Sequence, residues 1–383
     1  MMKILYFMNH VDQGGAALAL YDLICEIKAL YPEKCRMIVI TGKQNQLNQS
    51  LSDIGVENYS APFKNFLSSY RKPAWFWRIA IIIRYWVNKY RAVRIIESVV
   101  DFHNVNIIHS NLDRIDIGAY FSKKYGIPHL WHIRENGKGD FKLMSVFHNP
   151  IRHMLKHPSQ FVTISKVVTR QWIKYGIPES QIHLVYDGIR TDYLKEIKRE
   201  YSDKVRFVFL GGYSQSKGQH LFLEALALLS NVIGDKITVD FYGNGENNYF
   251  KELSMFLYDN KLDRFVHLLQ YDPEIYHKLG KYDVGVNCSA NEGFGRITVE
   301  YMMAGLCPLV SDTGANCEIV ENGKTGIVFE YNKKNDLVFK IKELLSNQNN
   351  IVNLGKTARD YALKNFSMEK HAKEIVELYD SLL

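Results

Sequence analysis

Cysteine is scarce in this chain. There are five in 383 residues, at positions 25, 35, 288, 307 and 317, an odd number with no CxxC pair. They fit neither a disulfide framework nor a zinc-ligand set, and they suit a reducing compartment. Proline and glycine are also sparse, at 9 and 25 residues, which excludes collagen-like and low-complexity chains. Long apolar runs are missing. The strongest, Ile79 to Ile83, is bounded by Arg78 and Arg84, so no transmembrane helix fits. The opening MMKILYFM meets Asn9, His10 and Asp12 too soon for a signal peptide and reads as a buried first strand.

What is present describes a two-domain globular protein. Hydrophobic residues make up 46% and charged residues 23%, and the length exceeds what one core usually organises. The net charge of +7 is unevenly placed. Residues 1–200 hold 28 Lys and Arg against 17 Asp and Glu, while the remainder holds 20 against 24. A basic first half beside an acidic second half implies two domains, one of which meets an anionic partner.

Strands and helices alternate through both halves, which predicts parallel sheets built from βαβ units. Strand-like runs fall at 3–8, 36–41, 105–109, 128–133 and 160–164, with helical spacing at 16–30, 47–54 and 75–100. Apolar density drops across 191–204, where the domain junction is placed. The pattern restarts with a strand at 205–210 and a helix at 218–229. Strands follow at 237–242, 265–269, 284–287, 308–311 and 326–329, and three helices fill 336–383. Each half opens with strand, glycine turn and helix.

Three such turns are candidate anion sites. In NCSANEGFGRITVEYMMAG (287–305), a turn containing Glu292, Gly293, Phe294 and Gly295 leads into a helix that starts near Arg296 and Ile297 and carries Glu300. Free N–H groups and the positive end of the helix dipole would face the turn, and the glycines let a diphosphate approach the backbone. Two carboxylates at either end of such a turn suit hydroxyl recognition better than a glycosidase acid/base pair, whose members usually come from separate elements. The bland alternative is a loop carboxylate and a solvated helix residue. In LGGYSQSKGQ (210–219), Gly211 and Gly212 follow a strand, and Lys217 offers a point charge. In DQGGA (12–16), Gly14 and Gly15 sit between the first strand and first helix, where a tight structural turn is the simpler reading.

Taken together, the GG turn, the KG turn and EGFGxxxxE resemble the retaining glycosyltransferases of family GT4. Further likeness lies in VTISKVVTRQWIKYGI, LVYDGI and AGLCPLVSDTGANCEIVENGKTGIVFE. It covers most of residues 1–330 and is strongest beyond 205. The resemblance implies the α/β GT-B fold, with two Rossmann-like domains facing across a cleft and a last helix crossing back to the first domain. The expected limits are 1–195 plus 368–383 on the acceptor side and 196–367 on the donor side. It implies a nucleotide-sugar donor, a UDP-sugar ahead of a GDP-sugar, with no cofactor. Glu300 would bind ribose, Glu292 with Gly293, Phe294, Gly295, Arg296 and Ile297 would hold sugar and diphosphate, and Lys217, Gly211 and Gly212 would meet the phosphate. Gly14 and Gly15 would border the diphosphate from the first domain. His132 would sit by the transferred sugar, with Lys217, Glu292 and His132 as the catalytic set. Arg134 is a weaker candidate and could simply pair with Glu135.

Two positions depart from the family pattern. Gly212 stands where an arginine is frequent, and Asp187 replaces the usual asparagine. No Asp-x-Asp element is present, so no metal is expected. The implied enzyme is a hexosyltransferase acting on a saccharide or lipid-linked acceptor in envelope or capsule polysaccharide synthesis. Rival readings are a nucleotide-sugar epimerase of the same fold and a non-catalytic partner subunit.

Residues 70–96, YRKPAWFWRIAIIIRYWVNKYRAVRII, combine seven Lys or Arg with a run of Trp, Tyr and Phe. That composition suits an interfacial helix on an anionic membrane, against an ordinary reading with the Ile/Trp stripe in the core. The expected location is cytoplasmic, peripheral at the inner face of the cell membrane. No nucleic-acid motif accompanies the basic patch, so no nucleic-acid partner is expected.

Overall fold

A computed structural model of the protein describes residues 1–9, 15–68, 75–137, 144–192, 202–245 and 247–383. Gly14 and residues 70–74 therefore lie outside the described residues. Two compact units emerge, one of Met1–Gly188 with Met368–Leu383, the other of Ile189–Ser367.

The first unit contains β1 (Met2–Met8), α1 (Gly15–Leu30), β2 (Cys35–Thr41), α2 (Gln46–Asp53), β3 (Glu57–Ser60), β4 (Leu67–Ser68) and α3 (Trp75–Val99). It continues through β5 (Ile107–Ser110), α4 (Ile117–Tyr125), β6 (His129–Ile133), β7 (Met144–Ser145), α5 (Pro150–Met154), β8 (Gln160–Thr163), α6 (Lys166–Tyr175) and β9 (Ile182–Leu184). Seven strands form a parallel sheet in the order β3-β2-β1-β5-β6-β8-β9. β1 is apolar almost throughout because helices cover both faces of a parallel sheet. β4 and β7 form a small antiparallel pair beside it.

The second unit contains β10 (Val205–Leu210), α7 (Gln219–Ile233), β11 (Ile237–Gly243), α8 (Asn248–Asp259), β12 (Val266–Gln270), β13 (Val284–Asn287) and α9 (Arg296–Met303). β14 (Cys307–Ser311), α10 (Asn316–Ile319), β15 (Ile327–Phe329), α11 (Lys334–Ser346) and α12 (Gln348–Asn365) complete it. Its parallel sheet has the order β12-β11-β10-β13-β14-β15. Two parallel-sheet Rossmann-like units thus follow one another, as the α/β reading implied.

The last helix, α13 (Met368–Ser381), belongs to the first unit and packs on α1. Its buried residues, Met368, His371, Ala372, Ile375, Val376 and Tyr379, recur at helical spacing and form one stripe. Caps fix the helix limits elsewhere. Ser165 accepts a hydrogen bond from the Val168 N–H at the start of α6, and Gly176, at φ 108°, ends it.

Some boundaries differ from the periodicity. Strand β5 begins at Ile107 rather than Val105, because Asp101 caps a short turn over 102–104 that Val105 closes. β3 and β9 have no counterpart in the sequence reading. Both are sheet edges, short and partly exposed, so neither shows the unbroken apolar run of a central strand.

Candidate functional site

In each sheet the connections reverse direction at one place, between β1 and β5 in the first unit and between β10 and β13 in the second. The crevice outside the carboxyl ends of strands at such a switch point is where open α/β sheets bind ligands. The predicted residues of the second unit fall at its switch point, Gly15 follows β1, and His132 lies one strand beyond β5, at the end of β6.

In the second unit, β10 runs into Gly211 and Gly212, and β13 runs into Cys288 and the loop to α9. The two loops are joined, since the Ala290 N–H donates to the Ser216 carbonyl at 2.9 Å. Gly218, at φ 75°, lies against the Cys288 carbonyl where any side chain would collide. Lys217 is carried into the crevice and its ammonium donates to Glu292 at 2.7 Å. Gln219, buried at the start of α7, donates to the carbonyls of Gly211 (3.3 Å) and Gly212 (3.1 Å) and so shapes the turn from behind.

Helix α9 begins after Gly295, at φ 85°. Arg296 and Glu300, one turn apart, form an ion pair at 3.2 Å. Glu300 is 2% exposed, which excludes the reading of it as a solvated helix residue. Behind the turn, Asn287 donates to the Thr298 hydroxyl at 2.9 Å, and Thr298 donates to Asn316 at 3.2 Å, locking β13, α9 and α10 together. Gly314 (φ 58°) backs the Glu292 main chain, whose carbonyl accepts from the Ala315 N–H at 2.9 Å. Phe294 is buried edge-on to Phe366, so it supports the turn from within the unit. The crevice therefore presents Lys217, Glu292, Arg296 and Glu300, two cations interleaved with two carboxylates on a tied backbone.

In the first unit, Gly15 is exposed at the start of α1. His132, near the end of β6, is fully buried and its Nε2 has no hydrogen-bond partner among the described residues. Strand register explains its surroundings. Tyr6 aligns with His109, and His109 with Leu130, so His132 lies two residues further along the same face. The His109 Nε2 is 3.2 Å from His132 Nδ1, the Tyr379 hydroxyl is 2.6 Å from His109 Nδ1, and Tyr6 and Tyr379 hydroxyls are 2.9 Å apart. Burial pushes both histidines well below the usual imidazole range, reinforced by Arg134 and by neighbouring histidines, so both are neutral. Arg134 Nη2 points at His132 Nδ1 from 3.5 Å. A guanidinium can only donate, which assigns that nitrogen as the acceptor. It follows that His109 donates through Nε2, Tyr379 donates to His109, and the proton of His132 sits on the open Nε2.

Arg134 does not pair with Glu135. Its Nη1 contacts both oxygens of Asp187 at 2.6 Å and its Nε donates to Asn111 at 3.1 Å, while Glu135 pairs with Arg114. The aspartate at the unusual position thus holds Arg134 in place. His132, Asp187 and His371 offer ligand-type atoms within 4.8 Å of one another. The Arg134 guanidinium already occupies Asp187, and its positive charge opposes a metal ion in that cluster. Sequence reasoning missed Tyr6, His109, Tyr379 and His371. The alternation in β5 carried a signal for His109; the helix residues gave none. A cavity of about 480 Å³ in the first unit is lined by Pro128, His129 and Gln160 at the opposite ends of β6 and β8 from that unit's switch point.

Comparison with known proteins bears on the family and the fold. Residues 13–193 match the family described as Glycosyltransferase Family 4, and residues 191–361 match Glycosyl transferases group 1. An uncharacterized glycosyltransferase of Methanocaldococcus jannaschii, MJ1178, is 25% identical over 305 residues, covering 78% of this chain and 81% of its own. The chain is a GT-B glycosyltransferase. Spore coat protein SA of Bacillus subtilis is 29% identical to this glycosyltransferase over 181 residues, 45% of this chain and 48% of its own. The fold matches Anabaena Alr3699/HepE, solved with UDP, at a TM-score of 0.80 and 20% identity, covering 99% of this chain and 100% of that one. A Rickettsia africae glycosyltransferase gives 0.78 at 18% identity, covering 100% and 98%. Neither an epimerase nor a non-catalytic subunit is favoured for this glycosyltransferase.

Proposed function

We propose that this glycosyltransferase is a retaining, GT4-type enzyme that moves a sugar from a UDP-sugar, or secondarily a GDP-sugar, to a saccharide or lipid-linked saccharide. The observation that carries this reading is the crevice of the second unit, where Lys217, Glu292, Arg296 and Glu300 converge on glycine turns at the strand ends. The diphosphate lies over the turn and the α9 N-terminus, with Lys217 and Arg296 as its cations. Glu300 receives the ribose hydroxyls, and Glu292 orients the donor sugar. Lys217 moves from Glu292 to the departing phosphate, stabilising the charge that develops there. The leaving phosphate oxygen takes the proton of the incoming acceptor hydroxyl on the same face, so the anomeric configuration is retained without a protein nucleophile. Residues 196–367 act on the donor side and residues 1–195 with 368–383 on the acceptor side. There, His132 Nε2–H is a neutral donor to a sugar oxygen. The negative charge of the leaving group is met by side chains and helix N–H groups, and no divalent ion is required. The basic first half suits an anionic acceptor in envelope or capsule polysaccharide assembly at the inner membrane face.

Calorimetric titration with UDP, GDP, ADP and CMP, followed by NMR of the anomeric proton in product made with EDTA present, tests this reading. Tight UDP binding and an axial product linkage from an axial donor are expected. Failure of every nucleotide to bind would remove the donor site, and an inverted product would remove the mechanism.

A further inference from the structure

Helix α3 buries one narrow side in the core and leaves a second, apolar side uncovered. The side it turns inward carries Tyr85, Lys89, Ala92 and Ile96, all buried. Lys89 there forms a 2.7 Å ion pair with Asp116, which also accepts from Tyr85 at 2.5 Å and lies 3.0 Å from His153. Burial by itself would raise the Asp116 carboxyl, but Lys89 and the hydrogen bonds from His153, Lys89 and Tyr85 outweigh it and hold its pKa at about 2. A charged cluster of this kind fixes the rotation of the helix, since turning it would strand the aspartate in the core.

The outward side is apolar. Phe76, Ile79, Ile83, Trp86 and Tyr90 follow one another at helical spacing and are 48–59% exposed, with Trp77 (59%) and Val87 (43%) beside them. The uncovered area is on the order of 600 Å², at the top of the range that monomers leave open. The Ile/Trp stripe is therefore not core, which corrects the ordinary reading of this segment. Arg84 and Arg91 line one flank of the stripe two turns apart. Arg94 closes its end, stacked 4.6 Å from the Tyr90 ring centre. Arg78, Arg84 and Arg91 form no ion pair among the described residues. The single acidic residue of the helix, Glu97, is paired with Lys124 at 2.5 Å. No described helix is long and apolar enough to cross a membrane.

We infer that the outward face of α3 is a docking surface for an anionic phospholipid bilayer. The aromatic and branched side chains enter the headgroup–acyl boundary, and the unpaired arginines meet lipid phosphates and snorkel to the surface. Net positive charge without acidic partners selects a lipid surface over a second copy of this chain, which would bring the same arginines against one another. This deepens the proposed reading by supplying the membrane face at which a lipid-linked acceptor would be met, but its test involves no glycosyl transfer.

The whole chain is sedimented with vesicles of phosphatidylcholine containing 25% phosphatidylglycerol, and with phosphatidylcholine alone, at 50 and 300 mM salt. Strong binding to the anionic vesicles, weakened by salt, is expected. The double substitution Arg84→Gln/Arg91→Gln should weaken it roughly 25-fold, at about five-fold per arginine. Ile83→Ser/Trp86→Ser should weaken it at both salt concentrations, with some loss in urea midpoint because half of Trp86 packs edge-on to Phe147 and under Lys89; Ile83→Ser alone should weaken binding with its midpoint kept. Brominated lipid should quench tryptophan fluorescence in the parent and much less in the second variant. Absence of binding to anionic vesicles at 50 mM salt would overturn the inference. So would loss, in the Ile83→Ser/Trp86→Ser variant, of a dimer seen by sedimentation velocity without lipid. UDP titration of the same samples keeps the two readings apart: lipid binding with no UDP binding would sink the donor site alone, and the reverse would sink the docking surface alone.

Discussion

Glu300 gives the sharpest test of the donor site. It is buried, 3.2 Å from Arg296, and lies one turn into α9. In Glu300→Ala two charge-assisted hydrogen bonds to ribose are lost, each worth about 1.5–3 kcal/mol. Arg296, released from its partner, offsets part of this by pulling harder on the diphosphate. The net loss should be about 2–4 kcal/mol, roughly 30- to 1000-fold in the dissociation constant for UDP. Glu300→Gln keeps the shape and one acceptor and should fall between. Calorimetry with UDP and with 2′,3′-dideoxy-UDP separates ribose recognition from a general disturbance. The parent should discriminate strongly between them, and the alanine variant should bind both alike. If Glu300→Ala still prefers UDP as strongly as the parent does, the carboxylate is not on the ribose and the assignment fails.

Lys217→Met should leave UDP binding within a few-fold while lowering kcat about 100- to 1000-fold, as removal of a transition-state charge partner does; an equal loss in binding would assign Lys217 to the ground state. Tyr379→Phe removes the hydroxyl that directs the His109 proton to His132, and kcat should fall about ten-fold with a shifted imidazole resonance for His132; an unchanged tautomer by nitrogen NMR would refute the chain of donors. Burial lowers His129 to about 3, and His109 and His132 lie well below their ordinary range. The unfolded chain therefore takes up more protons below pH 6.5, and each of these histidines should cost about 1.4 kcal/mol of stability per pH unit as pH falls from there. Asp116 adds its own loss between about pH 4 and 2. A urea midpoint that stays level from pH 7 to pH 5 would contradict these buried neutral imidazoles. Finally, Gly218→Ala would drive a side chain into the Cys288 carbonyl at a left-handed backbone position, and soluble yield and melting temperature should both drop.

Much of this protein was legible before folding was considered. Alternating apolar strands and amphipathic helices are local patterns, so two α/β units in series and most central strands followed from periodicity, while the Rossmann-like form came from the family resemblance. The candidate phosphate turns were legible for a related reason. Each lies within one short segment, Gly211–Lys217 or Glu292–Glu300, whose own spacing announces it, although 75 residues separate Lys217 from Glu292. The edge strands β3 and β9 did not, because half-exposed edges carry no continuous apolar signal.

Tertiary structure decided the rest. The sequence offered Glu135 as a partner for Arg134, but past the end of β6 Glu135 turns to Arg114. The fold brought Asp187 instead, from 53 residues away. The Tyr6–Tyr379–His109–His132 row spans nearly the whole chain and exists because strand register and α13 place four distant side chains on one sheet face. For α3, composition alone left both orientations open, since every residue needed for a core stripe was present. The ion-paired cluster of Lys89, Asp116, Tyr85 and His153 chose between them, and an ion pair across 27 residues is not a property of local sequence.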